Sequence, residues 1–141
     1  MDPNYGDAYV ILALSRTYGG HADEATTLVE KALRLNPHPP SGYYLARGRA
    51  LFFAGRLTEA VSVLNKALEI NPNWQVAHVY LAAAYAELDR QEDAQWEADQ
   101  ILVAEPDFTI DRFERTAGEL IRQKRDLDAL LSGLRKAGLP E

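Results

Sequence analysis

The sequence predicts an all-α fold: three helix pairs stacked in a row, followed by a two-helix C-terminal cap. The first sign is a phrase used twice, Lys31-Ala32-Leu33-Arg34-Leu35-Asn36-Pro37 and Lys66-Ala67-Leu68-Glu69-Ile70-Asn71-Pro72. Proline lacks an N–H and clashes with the preceding turn, so each copy reads as the last turns of a helix stopped at Asn-Pro. The second sign is the spacing of the stops. The prolines at 3, 37, 72 and 106 lie 34, 35 and 34 residues apart, and a fixed period of this length marks a solenoid. The third sign is that apolar residues recur inside each period at helical spacing.

Residues 1–5 read as the end of an earlier unit. Asp2-Pro3-Asn4-Tyr5 repeats the junction seen at Asn71-Pro72-Asn73-Trp74 and Glu105-Pro106-Asp107-Phe108. The expectation is therefore that this chain is the C-terminal piece of a longer protein. The three units span 6–39, 40–74 and 75–106, and the cap spans 107–141.

In the first unit a helix is expected over about 6–18, where Tyr9, Leu12, Ala13 and Arg16 share one face. Gly19-Gly20-His21 breaks it. A second helix follows over about 22–35, with Ala25, Val29 and Ala32 inward. Asp23 and Glu24 suit its positive start, and Lys31 and Arg34 its negative end. The second unit repeats this with Tyr44, Gly48 and Leu51, a stop at Ala54-Gly55, then Ala60, Leu64 and Ala67. Its extra residue falls in His38-Pro39-Pro40, a loop where insertion costs little. The third unit has His78, Leu81, Ala82 and Tyr85, a turn at Leu88-Asp89-Arg90, then Ala94, Ala98 and Ile101. Small residues at 13, 48 and 82, and at 25, 60 and 94, let neighbouring helices approach closely.

Phe108, Ile110 and Phe113 open a tail helix expected to run to about Arg122, with Gly118 as its weak point. Leu127, Leu130, Leu131 and Leu134 mark a last helix over about 126–137, stopped by Gly138-Leu139-Pro140. Such a pair would cover the apolar end of the stack.

Composition narrows the function. The chain has 141 residues, 47% hydrophobic and 26% charged, with a net charge of −6 and no cysteine. Disulfides, cysteine-based zinc sites and thiol chemistry are excluded, and a reducing, cytoplasmic setting is expected. No apolar run could span a bilayer. Residues 1–106 carry 8 Lys/Arg against 14 Asp/Glu. That acidic body argues against nucleic acid as a partner, because such binding rests on phosphate neutralisation.

No catalytic group emerges. His78 falls on an inner helix face and reads as a packing residue. His21 and His38 have no spaced ligand partners, so no metal is expected. The serines lack a nucleophile-elbow setting and no glycine-rich phosphate loop is present, so neither catalytic residues nor a cofactor are expected.

The repeating pattern resembles the tetratricopeptide repeat: a large residue, Leu, a small residue and an aromatic, then Ala, a bulky apolar residue, Ala and Pro. The first unit supplies Tyr9, Leu12, Ala13, Arg16, Ala25, Val29, Ala32 and Pro37. The third supplies His78, Leu81, Ala82, Tyr85, Ala94, Ala98, Ile101 and Pro106. Arg47 stands where Leu is usual, and Arg16 where Tyr is usual. The resemblance implies a right-handed superhelix in which the first helix of each pair lines a concave groove.

That groove is expected to carry Val10, Leu14, Thr17 and Tyr18 from the first unit. The second adds Leu45, Arg49, Phe52 and Phe53, and the third Val76, Val79, Tyr80 and Ala83. The partner-binding set drawn from these is Val10, Leu14, Tyr18, Leu45, Arg49, Phe52, Phe53, Val79 and Tyr80. Some members of the family clamp the C-terminal carboxylate of chaperones with Lys, Asn and Arg. Here the matching positions hold Val10, Leu14, Ala46, Val76 and Tyr80, so no chaperone-tail clamp is expected. An apolar, aromatic groove fits a protein or peptide partner, a second copy in a homodimer, or the chain's own tail.

The tail carries a second resemblance. Pro106-Asp107-Phe108-Thr109-Ile110 and Leu134-Arg135-Lys136-Ala137-Gly138-Leu139-Pro140-Glu141 are similar to the C-terminal repeat region of bacterial class III adenylate cyclases. That implies a non-catalytic interaction or self-association module attached to a cyclase domain elsewhere. The alternatives are a purely structural dimerisation unit and a stand-alone adaptor for an apolar peptide.

Overall fold

The computed structural model describes residues 4–141, so the junction phrase at Asp2-Pro3 lies outside the described residues. Eight helices follow one another: α1 (Asn4–Tyr18), α2 (Ala22–Leu35), α3 (Ser41–Phe53), α4 (Leu57–Ile70), α5 (Gln75–Glu87), α6 (Gln91–Ala104), α7 (Ile110–Leu120) and α8 (Lys124–Lys136). The helices pair as α1–α2, α3–α4 and α5–α6. Each second helix also packs on the next first helix, α2 on α3 and α4 on α5. The first helices α1, α3 and α5 touch in sequence and form the inner layer. The fold is thus an all-α, tetratricopeptide-like arrangement of paired helices with a C-terminal cap.

The same turn is built three times. In the first, His21 N–H bonds to Arg16 C=O at 2.8 Å and Gly20 N–H to Thr17 C=O at 3.3 Å. Arg56 to Leu51 and Arg90 to Tyr85, both 2.9 Å, repeat the longer bond. This is the Schellman closure, which needs one left-handed residue. Gly20 (φ 93°), Gly55 (φ 79°) and Asp89 (φ 59°) supply it at equivalent positions.

Side-chain volumes compensate across each pair. A Cβ on Gly48 would come within 2.4 Å of Leu64 Cδ2. In the other units Ala13 opposes Val29 and Ala82 opposes Ala98, all almost fully buried. The larger Leu64 occupies the room that glycine leaves.

Two expected departures find partners. Arg47, in place of Leu, reaches back to Glu30 of α2 at 3.5 Å. Arg16, in place of Tyr, lies 3.4 Å from Glu24, inside its own unit rather than across a boundary. The row that α2 turns toward α3 (Thr26, Glu30, Leu33) recurs in α4 as Val61, Asn65 and Leu68. In α6 it becomes Gln95, Asp99 and Leu102, and Gln95 Nε2 donates to Asp99 Oδ1 at 3.0 Å. The outward side of α6 thus combines this polar pair with the exposed Trp96 and Val103.

The tail helices differ from expectation in detail. α7 passes through Gly118 unbroken and ends at Leu120. The break comes three residues later because Ile121 is buried and the Arg122 N–H is taken by Tyr18 C=O at 2.9 Å. α7 starts at a Thr109 cap, whose hydroxyl accepts from Arg112 N–H at 3.2 Å.

Candidate functional site: the inner layer and its cavity

The inner layer presents columns of equivalent residues: Val10, Leu45 and Val79; Leu14, Arg49 and Ala83; Thr17, Phe52 and Ala86; Tyr18, Phe53 and Glu87. In the third unit the columns turn small, and that is where α8 seats. A Cβ on Gly133 of α8 would lie 2.8 Å from Ala83 Cα and 2.9 Å from its carbonyl oxygen. Backbones meet here, which only Gly against Ala permits. Leu130 and Leu134 are fully buried beside this contact. At the far end of the hairpin, Arg125 Nη2 donates to Gly20 C=O at 3.2 Å. The tail thus crosses from α5 to the end of α1.

This placement divides the expected groove residues. Leu45, Phe52, Val79 and Tyr80 are buried, as is Thr17. Val10, Leu14, Tyr18, Arg49, Phe53 and Val76 keep partial exposure. Phe52, Phe53 and Tyr80 pack edge to face, with centroids 5.3 to 5.9 Å apart.

Between the inner layer and α7 a cavity of about 340 Å³ remains, within the usual range for a ligand pocket. Its floor is Tyr18, Arg49, Val76 and Tyr80, and its roof includes Phe113 and Ile121. Arg49 is the floor's cation. Its Nη1 donates to the Tyr18 hydroxyl, and its guanidinium lies 5.9 Å from both the Tyr18 and Tyr80 ring centroids. Its Nε is buried with no hydrogen-bond partner, and among the described residues Arg49 makes no ion pair. Burial pushes the Tyr80 hydroxyl far above its ordinary value, so it stays protonated. On the rim, Arg112 is held by Asp107 at 2.7 Å, and that bond keeps the Asp107 carboxyl below its ordinary value.

A second polar feature is buried away from the cavity. His78 Nδ1 lies 2.6 Å from Glu97 Oε2, and Nε2 lies 2.9 Å from Pro72 C=O. The Pro72 carbonyl only accepts, so Nε2 donates to it, and a charged Glu97 carboxylate beside Nδ1 favours the cationic imidazole. The Glu97 hydrogen bond, opposed by burial, raises the His78 pKa above its ordinary value. The sequence reading of His78 as a packing residue missed this partner. The signal was present: Glu97 stands where the earlier units carry Leu28 and Val63.

Among the described residues no group of three or more His, Asp or Glu is placed to hold a metal ion. Among the described residues no helix is long and apolar enough to cross a membrane.

Residues 41–74 match the tetratricopeptide repeat family model. That is the second helix pair with the junction after it, and the chain's own period ties the other two pairs to it. The first tetratricopeptide domain of the human RPAP3 protein, solved by NMR, superposes with a TM-score of 0.69 at 24% identity, covering 95% of this chain and 98% of that one. A thermophilic tetratricopeptide-repeat protein of Thermus thermophilus is similar at 23% identity over 94% of this chain and 89% of its own, with a TM-score of 0.45. Among curated proteins none matches the sequence. The family match and the likeness to the RPAP3 domain agree with the helix pairs on the fold.

Proposed function

We propose that this chain is a protein-interaction module whose inner layer receives an apolar peptide segment bearing a carboxylate. The observation that carries the reading is Arg49: a half-buried guanidinium, flanked by two tyrosine rings in a largely apolar cavity, that makes no ion pair among the described residues even though Glu105 lines the same cavity. A charge-assisted bond from a partner's Asp, Glu or C-terminus would satisfy it. Phe113 and Ile121 would hold an adjacent apolar side chain. Tyr18, Arg49 and Phe53 are the contacts, extended by Val10 and Leu14 on α1. Leu45, Phe52, Val79 and Tyr80 shape the floor from beneath.

The test is selection from a random peptide library displayed on phage. The expected consensus places an acidic residue next to a Leu, Ile or Phe. The Arg49→Glu chain should lose that consensus and favour a basic residue instead. Identical consensus sequences from both chains would sink the reading.

The tail's likeness to the C-terminal region of class III adenylate cyclases extends the proposal to a cytoplasmic bacterial parent protein, in which this module tethers or pairs catalytic domains. The upstream coding sequence decides that part. A gene with no cyclase domain ahead of these repeats removes the cyclase and leaves the peptide site standing.

A further inference from the structure

Three hydrogen-bond donors meet on the cavity floor, one from each helix pair. Arg49 of α3 brings a guanidinium whose Nε–H is buried without a partner. The Tyr18 hydroxyl of α1 accepts from Arg49 Nη1, which leaves its own proton free to be donated. Tyr80 of α5 lines the same cavity and is only 4% exposed. Among the described residues its hydroxyl makes no hydrogen bond. A buried hydroxyl left unpaired is costly, and burial keeps this one protonated, ready to donate.

What these donors lack is an acceptor. Glu105 lines the cavity but is exposed, and its charge acts on Arg112. Arg112 is itself held by Asp107, so it brings no second free cation. One cation flanked by two neutral donors suits a monoanion, whereas a dianionic phosphate calls for more positive charge than the floor carries. The walls are apolar: Val76, Phe108, Phe113, Leu120 and Ile121. The complementary occupant is a carboxylate with an apolar body.

The tail limits its size. At the start of α7 the Ile110 N–H bonds Pro140 C=O at 2.8 Å, and past its end the Arg122 N–H bonds Tyr18 C=O at 2.9 Å. α7 is thus tied down at both ends over the floor. Beyond the cavity α8 occupies the inner layer, where Gly133 sits on Ala83. The space left, about 340 Å³, is in the range of a small-molecule pocket.

We infer that this cavity binds a free small acid, a medium-chain aliphatic monocarboxylate. Its carboxylate lies on Arg49, Tyr18 and Tyr80, and its chain lies under Phe113 and Ile121. This ligand rests on the reading of Arg49 given above and brings the carboxylate without a peptide.

The probe is octanoate, with octanol and octylammonium as matched controls, titrated against the full chain by NMR and calorimetry. Octanoate is expected to shift the Phe113, Ile121 and Arg49 Nε signals and to bind at least about tenfold more tightly than octanol. Octylammonium should not bind. Tyr80→Phe, which removes one hydroxyl from a buried ring, should weaken octanoate about fivefold. Arg49→Met should reduce octanoate to the level of octanol; where circular dichroism shows that variant unfolded, Tyr80→Phe decides. Octanoate no tighter than octanol, or insensitive to Tyr80→Phe, overturns the inference. No octanoate binding alongside an acidic phage consensus also overturns it and leaves the peptide reading in place. Octanoate held at Arg49 without such a consensus upholds the small-acid site and removes the peptide.

Discussion

The first and third units have the same plan and spend their residues differently. α5 buries ten consecutive residues, Ala77 to Ala86, because α4, α6 and α8 all lie on it. α1 lacks the neighbours equivalent to α4 and α8, and buries Ala13 and Thr17 beside Gly6. Inside the pairs the contrast is chemical. In the first unit Tyr9 lies under Lys31, whose Nζ is 5.5 Å from the ring centroid. Tyr44 and Lys66 repeat that at 5.7 Å. The third unit replaces it with the buried His78–Glu97 pair. Nearly the same backbone period thus tolerates an exposed cation over a ring in two units and a buried ion pair in the third. Periodicity constrains helix spacing and small-residue placement, and leaves the polar chemistry free.

Several substitutions break or sharpen this contrast. The largest loss is expected for His78→Phe, which strands the buried Glu97 carboxylate and should cost about 3–5 kcal/mol in urea denaturation. Replacing both partners by the first unit's pair, His78→Tyr with Glu97→Leu, should recover most of it. That double variant should also flatten a pH dependence. The folded His78 pKa is raised, so its stabilisation is fully present below the unfolded value of about 6.5 and is lost as pH rises through the folded value. The urea midpoint of the natural chain should therefore fall between mildly acidic and alkaline pH, and that of the double variant should not. Equal slopes would mean the pair is not the source.

Next in size, Leu81→Ala should cost about 3 kcal/mol, while Leu12→Ala at the equivalent position should stay within about 0.5 kcal/mol. Gly133→Val should cost about 2 kcal/mol by forcing α8 off Ala83. Faster amide exchange confined to α7 and α8 would locate that effect. One change runs the other way: Asp89→Gly, giving the third turn the residue of the first two, should stabilise by about 0.5–1 kcal/mol.

Much of the inner architecture was legible in the residues. The stops at Pro37, Pro72 and Pro106, the small residues at 13, 48 and 82, and the turns at Gly20 and Gly55 each force a local geometry. The helix boundaries follow from them to within a few residues. The tail's path was not legible. It rests on Gly133 meeting Ala83 and on the Arg122 N–H reaching Tyr18, contacts between residues far apart in sequence that no local pattern announces. The groove was legible as a list of columns. Which members stay accessible was not, because exposure of Arg49 and burial of Val79 depend on where α8 comes to rest. Glu97 was missed for a different reason: a carboxylate at a core position reads as surface until its partner is seen.

The hydrogen-bonded Gln95 and Asp99 on α6 stand in the row that α4 fills with Val61 and Asn65. Beside them Trp96 and Val103 are exposed, so the outer side of α6 mixes polar groups with large apolar surface. Converting Gln95 and Asp99 to the Val and Asn of α4 would give that side the row on which α5 packs, and with it a seat for a further helix pair.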